Sequence, residues 1–238
     1  MPDRSRPLYA VLIDADNISA NYAEPILKEV TRFGEPALRR VYGDWSSDNL
    51  KAWATKSREL GLVAHQESAN TKNKNASDIG MVIDAMDILH SGRFDGFVIV
   101  SSDSDFTALA NRVREQGKEV IGIGDEKTPK SLRSVCNRFI SITNIVEEAY
   151  AAAGDTKELK KLNPTKAIPL IKAAIDQSEQ DGDWHSLSYI GKQLRALDPE
   201  FDTRNYGAAK LSGLFEKLDM FDTRTNNDQF QIRLKRPA

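Results

Sequence analysis

At 238 residues, with 40% hydrophobic and 29% charged residues, the chain has the composition of a soluble globular protein with one large or two small domains. A formal net charge of −2 excludes a uniformly basic nucleic-acid binder, and no apolar run reaches the ~18 residues that a transmembrane helix needs. The single cysteine, Cys136, excludes a disulfide framework and a cysteine-based zinc site. Met1–Pro7 is short, polar and basic and lacks the apolar stretch of a secretory signal, so a cytoplasmic protein with no membrane association is expected.

The first elements alternate between strand and helix. Leu8–Ile13 is a continuous apolar run, the pattern of a strand buried on both faces. A helix is expected over Ser19–Phe33, ended by Gly34, then a strand over Ala37–Tyr42 and a helix over Ser47–Leu60 stopped at Gly61. Leu62–His65 reads as a short strand, and Glu67–Asn75 as a polar loop. Ser77 is the expected N-cap of a helix over Asp78–Leu89. Phe97–Val100 is another buried strand, Phe106–Gln116 a helix closed by Gly117, Val120–Ile123 a strand, and Phe139–Ile142 one more. This alternation implies right-handed βαβ units, and so a Rossmann-like parallel sheet with helices on both faces.

The pattern changes after a linker expected at 151–162. Helices are expected at Pro164–Gln177, Leu187–Leu197 and Tyr206–Leu218, followed by strands at Met220–Thr223 and Phe230–Leu234 around an Asn226-Asn227 turn. Three helices and a hairpin describe a winged helix-turn-helix. The expected organisation is therefore an α/β domain over 1–150 and a small winged-helix domain over 163–238. The first holds 19 Lys+Arg against 22 Asp+Glu, and the second 11 of each. Neither is basic overall, so contact with a polyanion would rest on local patches.

Ligands of open parallel sheets bind beyond the carboxyl ends of the strands. Asp14 and Asp16 directly follow the first strand, Asp103 and Asp105 follow the Phe97–Val100 strand, and Asp78 opens a helix. If the two strands are neighbours, their carboxylates converge. Converging carboxylates repel one another unless a cation joins them. All-oxygen donors favour Mg²⁺ or Mn²⁺ over zinc, and such a cation supports phosphodiester hydrolysis without a nucleophilic side chain. An Asp after a strand is also a common helix cap. Asp16 and Asn17 are candidates to cap the first helix, and Asp105 the helix from Phe106. Asp87 suits a solvated face, and Asp84 stands nearly two turns beyond Asp78, within reach of the same cleft.

Leu12-Ile13-Asp14-Ala15-Asp16-Asn17, Asp78-Ile79-Gly80-Met81 and Ser101-Ser102-Asp103-Ser104-Asp105-Phe106 resemble the three motifs of NYN domains, which are PIN-like nucleases of the LabA-like group. The resemblance spans roughly residues 7–148. It implies a Mg²⁺- or Mn²⁺-dependent ribonuclease with Asp14, Asp78 and Asp103 at the metal, Asp105 close by, and Asn17 orienting a ligand or a substrate phosphate. Asp16 falls at a position variable in that family. Leu187–Leu194, Tyr206-Gly207, Leu211–Phe215 and the terminal hairpin resemble the OST-HTH, or LOTUS, domain. That similarity implies binding of RNA or of a protein partner. A homodimer is left open.

Lys72 and Lys74, just before Asp78, suit either phosphate contact or a solvated loop. Lys192, Lys210, Arg233, Lys235 and Arg236 suit an RNA face or an ordinary charged surface. Trp45 suits base stacking or core packing, and Trp53 a helix-face core position. His65, His90 and His185 have no ligand spacing. Two other functions fit parts of the pattern. A haloacid-dehalogenase-type phosphatase also places Asp-x-Asp after a strand, but Asn17 stands where that family has a small Thr or Val. A non-catalytic RNA-binding or adaptor protein would need no set of mutually repelling carboxylates.

Overall fold

The structure, a computed structural model, describes residues 6–46, 48–66, 76–152, 161–177, 183–226 and 229–235. The chain divides into two compact units, Met1–Lys157 and Glu158–Ala238.

In the first unit the strands are β1 (Leu8–Asp14), β2 (Glu35–Gly43), β3 (Val63–Gln66), β4 (Gly96–Val100), β5 (Glu119–Gly124) and β6 (Arg138–Ser141). They form one six-stranded sheet in the order β3-β2-β1-β4-β5-β6, and every pairing is parallel. The helices are α1 (Ala23–Val30), α2 (Lys51–Leu60), α3 (Ala76–His90), α4 (Thr107–Glu115), α5 (Lys130–Val135) and α6 (Ile142–Ala152). Successive side chains of a strand point to opposite faces, and both faces here are covered. Tyr9, Val11 and Ile13 of β1 join a core with Ile26 and Val30 of α1, Trp53 of α2 and Ile145 of α6. Ala10 and Leu12 join the opposite core with Met81 and Ala85 of α3, Leu109 of α4 and Leu132 of α5. Burial on both faces is why β1 and β4 read as unbroken apolar runs.

The helix α2 ends on Gly61, whose φ of 63° is left-handed and suits glycine. Three expectations need correction. The helix α3 begins at Ala76, so Ser77 lies inside its first turn rather than at its cap. The helices α1, α2 and α4 are each shorter than expected and are entered through 3-10 turns at Ala20–Tyr22, Asp48–Leu50 and Ser104–Phe106. Beyond β6 the chain runs straight into α6, which takes up residues 151 and 152 of the expected linker.

The second unit contains α7 (Ile168–Asp176), β7 (His185–Ser186), α8 (Leu187–Leu197), α9 (Leu211–Glu216), β8 (Phe221–Asn226) and β9 (Gln229–Leu234). An antiparallel sheet in the order β7-β9-β8 packs Phe221 and Ile232 against Ile171, Ile190, Leu194 and Phe215. The expected third helix is shorter, because Thr203–Tyr206 forms a separate 3-10 turn ended by Gly207. No helix among the described residues is long and apolar enough to cross a membrane.

Candidate active site

The chain builds β1, β2 and β3 outward in one direction, then returns to place β4 on the other side of β1. The crevice at such a reversal, outside the carboxyl ends of the strands, is where open α/β sheets bind ligands. Because β1 and β4 are adjacent and in register, with Ile13 opposite Val100, the segments that follow them begin at one level. Asp14 closes β1, and Ser101 directly follows β4.

Asp14 is only 2% exposed, and its carboxylate is held by four donors. Oδ1 accepts the backbone N–H groups of Asp16 (3.1 Å) and Asn17 (3.2 Å). Oδ2 accepts Asn17 Nδ2 (2.7 Å) and Ser101 Oγ (2.7 Å). Burial pushes the Asp14 carboxyl above its ordinary value despite the bonds from Ser101 and Asn17, and the nearby Asp16 charge adds to the rise. The Ser101 hydroxyl, itself buried, also accepts the Asp103 N–H at 3.0 Å. One hydroxyl thus fixes the spacing between the two acidic segments. Asp103 Oδ1 accepts the Asp105 N–H at 2.9 Å and caps the 3-10 turn that leads into α4. Asp103, and not Asp105, is the cap there. Ser19 caps the turn before α1, a role expected of Asp16 or Asn17.

Asp78, half-buried in the first turn of α3, registers the combined field. Its pKa is raised to about 6 by desolvation first, then by the charges of Asp14, Asp103, Asp16 and Asp105. Asp16 belongs to this acidic group, and its Oδ2 accepts the Ser77 hydroxyl at 2.8 Å, mooring α3 to the loop after β1. Sequence reasoning ranked Asp16 second, took Ser77 for a helix cap, and gave Ser101 no role. The signal for Ser101 is its place, a polar residue continuing an apolar strand where a buried side chain is due.

Other candidates lie apart from this group. Asp84 pairs with Arg40 and accepts the Tyr42 hydroxyl, so it is occupied bridging α3 to β2. Trp45 donates its indole N–H to His65 O at 2.7 Å and packs against the core, which favours the packing role. The Cys136 thiol is buried and pushed up to about 12 by desolvation, far from reactive. Lys72, Lys74 and Arg236 lie outside the described residues. Lys192 is exposed on α8 and Lys210 precedes α9, while Arg233 sits on the small sheet, on the side away from Ile232.

The donors suit a hard divalent cation in kind, all being carboxylate oxygens, and in field, as the rise at Asp78 attests. Among the described residues, no three carboxylate, imidazole or thiol groups stand close enough together to grip an ion directly. Mg²⁺ keeps several of its waters and uses as few as one or two carboxylates directly.

Residues 9–143 match the NYN domain family, and residues 159–232 match the OST-HTH/LOTUS domain. An uncharacterized protein of Methanocaldococcus jannaschii is 25% identical over 177 residues, covering 72% of this chain and 68% of that one. Among solved structures, a protein of unknown function from Vibrio parahaemolyticus aligns at 19% identity with a TM-score of 0.49, over 60% of this chain and 96% of that one. An uncharacterized protein from Nitrosomonas europaea aligns at 32% identity with a TM-score of 0.29, over 36% of this chain and 86% of that one.

Proposed function

This chain belongs to the NYN domain family, within the PIN-like nucleases, and from that premise we propose that it is a ribonuclease that hydrolyses phosphodiesters with Mg²⁺ or Mn²⁺ held by Asp14, Asp78, Asp103 and Asp105. The observation that carries the reading is the gathering of five aspartates at the sheet's switch point, with Asp78 raised to about 6 by burial first and then by the charges of the other four. A divalent cation, when bound, supplies Lewis acidity that offsets charge on the phosphoryl oxygens and lowers the pKa of water.

The chain's own groups do the rest. Ser101, Asn17 and two backbone N–H groups fix the Asp14 carboxylate, so its lone pairs keep one orientation. Asp103 is held at the same level through Ser101. Asp105 lies exposed beside it. Burial and the neighbouring carboxylates raise Asp78 to about 6 without metal, and a bound cation would lower it again. The OST-HTH/LOTUS domain supplies RNA affinity outside the cleavage site.

The burial of Asp14 disfavours the phosphatase alternative. A carboxylate nucleophile must free one oxygen to reach phosphorus, whereas Asp14 keeps four donors on its two oxygens. A metal ligand would likewise have to exchange one of those bonds, and the family match is to the NYN domain. The test is cleavage of labelled single-stranded and structured RNA by the wild type and by Asp14→Asn with Asp103→Asn, in Mn²⁺, Mg²⁺ or EDTA. Metal-dependent cleavage that the folded double variant lacks supports the reading. RNA binding without cleavage in either metal would turn it into the adaptor alternative.

A further inference from the structure

The small sheet of the second unit carries a cluster that the acidic site does not use. Asp222 pairs with Arg233, and Arg224 pairs with Gln231. Ser186 pairs with Gln231, which sets Trp184 level with Arg233 on the same side. Phe221 and Ile232 face the other way, into the core. The outer side therefore presents an indole among arginines. Arg224 Cζ lies 4.1 Å and Arg233 Cζ 4.6 Å from the Trp184 ring centroid. Each guanidinium is also pinned at Nε, Arg224 by Gln231 Oε1 at 2.8 Å and Arg233 by Asp222 Oδ2 at 2.9 Å.

Pinning at Nε and stacking on the indole fix both guanidinium planes. Recognition of an anion then falls to their terminal amino groups, whose fork matches phosphate. Two cations side by side on one sheet face repel each other, and among the described residues Arg233 forms an ion pair with Asp222 on this face. An anion with flat surfaces completes such a face better than a folded protein would. Nucleobases stack on aromatic rings and on guanidinium planes alike. We propose that the outer face of the β7-β9-β8 sheet binds single-stranded RNA, a base stacking on the Trp184–arginine ladder while Arg224 and Arg233 take phosphates. An acidic peptide would match the charge and leave the stacking surface unused.

This proposal rests on the reading of the chain as an RNA-processing protein, and the experiment separates the two. The full chain is titrated in EDTA, which suppresses metal-dependent cleavage, with a short labelled single-stranded RNA. Wild type, Trp184→Phe, Trp184→Ala and Arg224→Ala with Arg233→Ala are compared. The double arginine variant should bind at least tenfold more weakly, and the slope of log K against log salt should flatten by about 1.4, since each phosphate contact on a single strand contributes about 0.7. Trp184→Ala should weaken binding on the order of tenfold. Trp184→Phe, which keeps a ring and guards against misfolding of the alanine variant, should bind nearly as well. RNA should quench tryptophan emission in the wild type but not in Trp184→Phe. Wild-type affinity and salt slope in the double arginine variant, unquenched Trp184 emission, or equal competition by polyglutamate would each overturn the proposal. If that happens in a chain that still cleaves RNA with Mn²⁺, the ribonuclease reading stands; a chain that neither binds nor cleaves RNA overturns both.

Discussion

Replacing Ser101 with alanine removes one oxygen and two hydrogen bonds from the centre of the acidic site. One bond goes to a buried carboxylate at 2.7 Å and the other comes from the Asp103 N–H at 3.0 Å. A hydrogen bond to a charged group contributes about 1.5–3 kcal/mol, and an orphaned buried donor adds roughly 1 kcal/mol more. The expected loss is about 2–4 kcal/mol for the first unit at neutral pH. The loss should also depend on pH in a defined direction. Asp14 already has a folded-state pKa above its unfolded value. Its contribution is thus most favourable in acid and is lost as pH rises through the folded pKa. Without the Ser101 donor that pKa rises further, so the deficit grows from acid toward neutral conditions. The assay is urea denaturation in EDTA at about pH 5 and about pH 8. Emission of Trp53, which is buried and bonded to Ile18 O at 2.7 Å, reports on this unit. Ser102→Ala, which removes only the acceptor of the Asp125 N–H, is the control and should show a smaller, pH-independent loss. A Ser101→Ala deficit that is the same at both pH values would refute the claim that Ser101 holds the ionised form of Asp14.

Asp78→Asn should stabilise the metal-free protein above pH 6, because ionised Asp78 is partly desolvated and faces four other carboxylates; the gain is about 1 kcal/mol after solvent screening at a half-exposed group. Since the raised pKa favours folding below 6 and that advantage disappears above it, the wild type should lose stability from pH 5 to 7 in EDTA while Asp78→Asn stays flatter. Thermal melts with and without Mn²⁺ check both, and added Mn²⁺ should raise the wild-type midpoint more than that of the variant. Asn17→Ala removes the Nδ2 donor to Asp14 Oδ2 while keeping the backbone N–H bond to Oδ1 and should cut RNA cleavage on the order of tenfold, read from initial rates at saturating Mn²⁺. Asp84→Ala strands a partly buried Arg40 and should cost about 3 kcal/mol in urea while leaving the Mn²⁺-induced shift in midpoint unchanged; a lost shift would place Asp84 in the acidic site after all.

Much of the architecture was legible because both faces of the sheet are covered. That burial writes itself into the sequence as apolar runs such as Leu8–Ile13 and Phe97–Val100, and the acidic residues fall where those runs stop. Asp14, Asp78 and Asp103 could be placed at one end of the sheet, while their convergence depended on the adjacency of β1 and β4, which no local pattern encodes. The helix α5 was not foreseen because six residues hold too little periodicity to stand out. The start of α6 was hidden for another reason: Ile142 and Thr143 are β-branched and continue the strand signal of β6. Ser101 escaped notice because serine after a strand is an ordinary turn former, and only burial reveals what its hydroxyl joins. Trp184, Arg224 and Arg233 come from well-separated stretches of the chain, and strand register brings them together.

Gly124, the last residue of β5, contributes nothing to the chemistry and yet shapes what can. A Cβ there would lie 2.7 Å from the backbone oxygen of Ser101, inside any tolerable contact. The loop that follows β5 can therefore nestle against the segment carrying Ser101 and Asp103 only while that position stays bare. Even the smallest side chain would act as a wedge, displacing the hydroxyl from Asp14 without touching a single acidic group. A mutational scan of cleavage should find a sensitive residue with no functional group at all, an empty place in the wall that the site leans on.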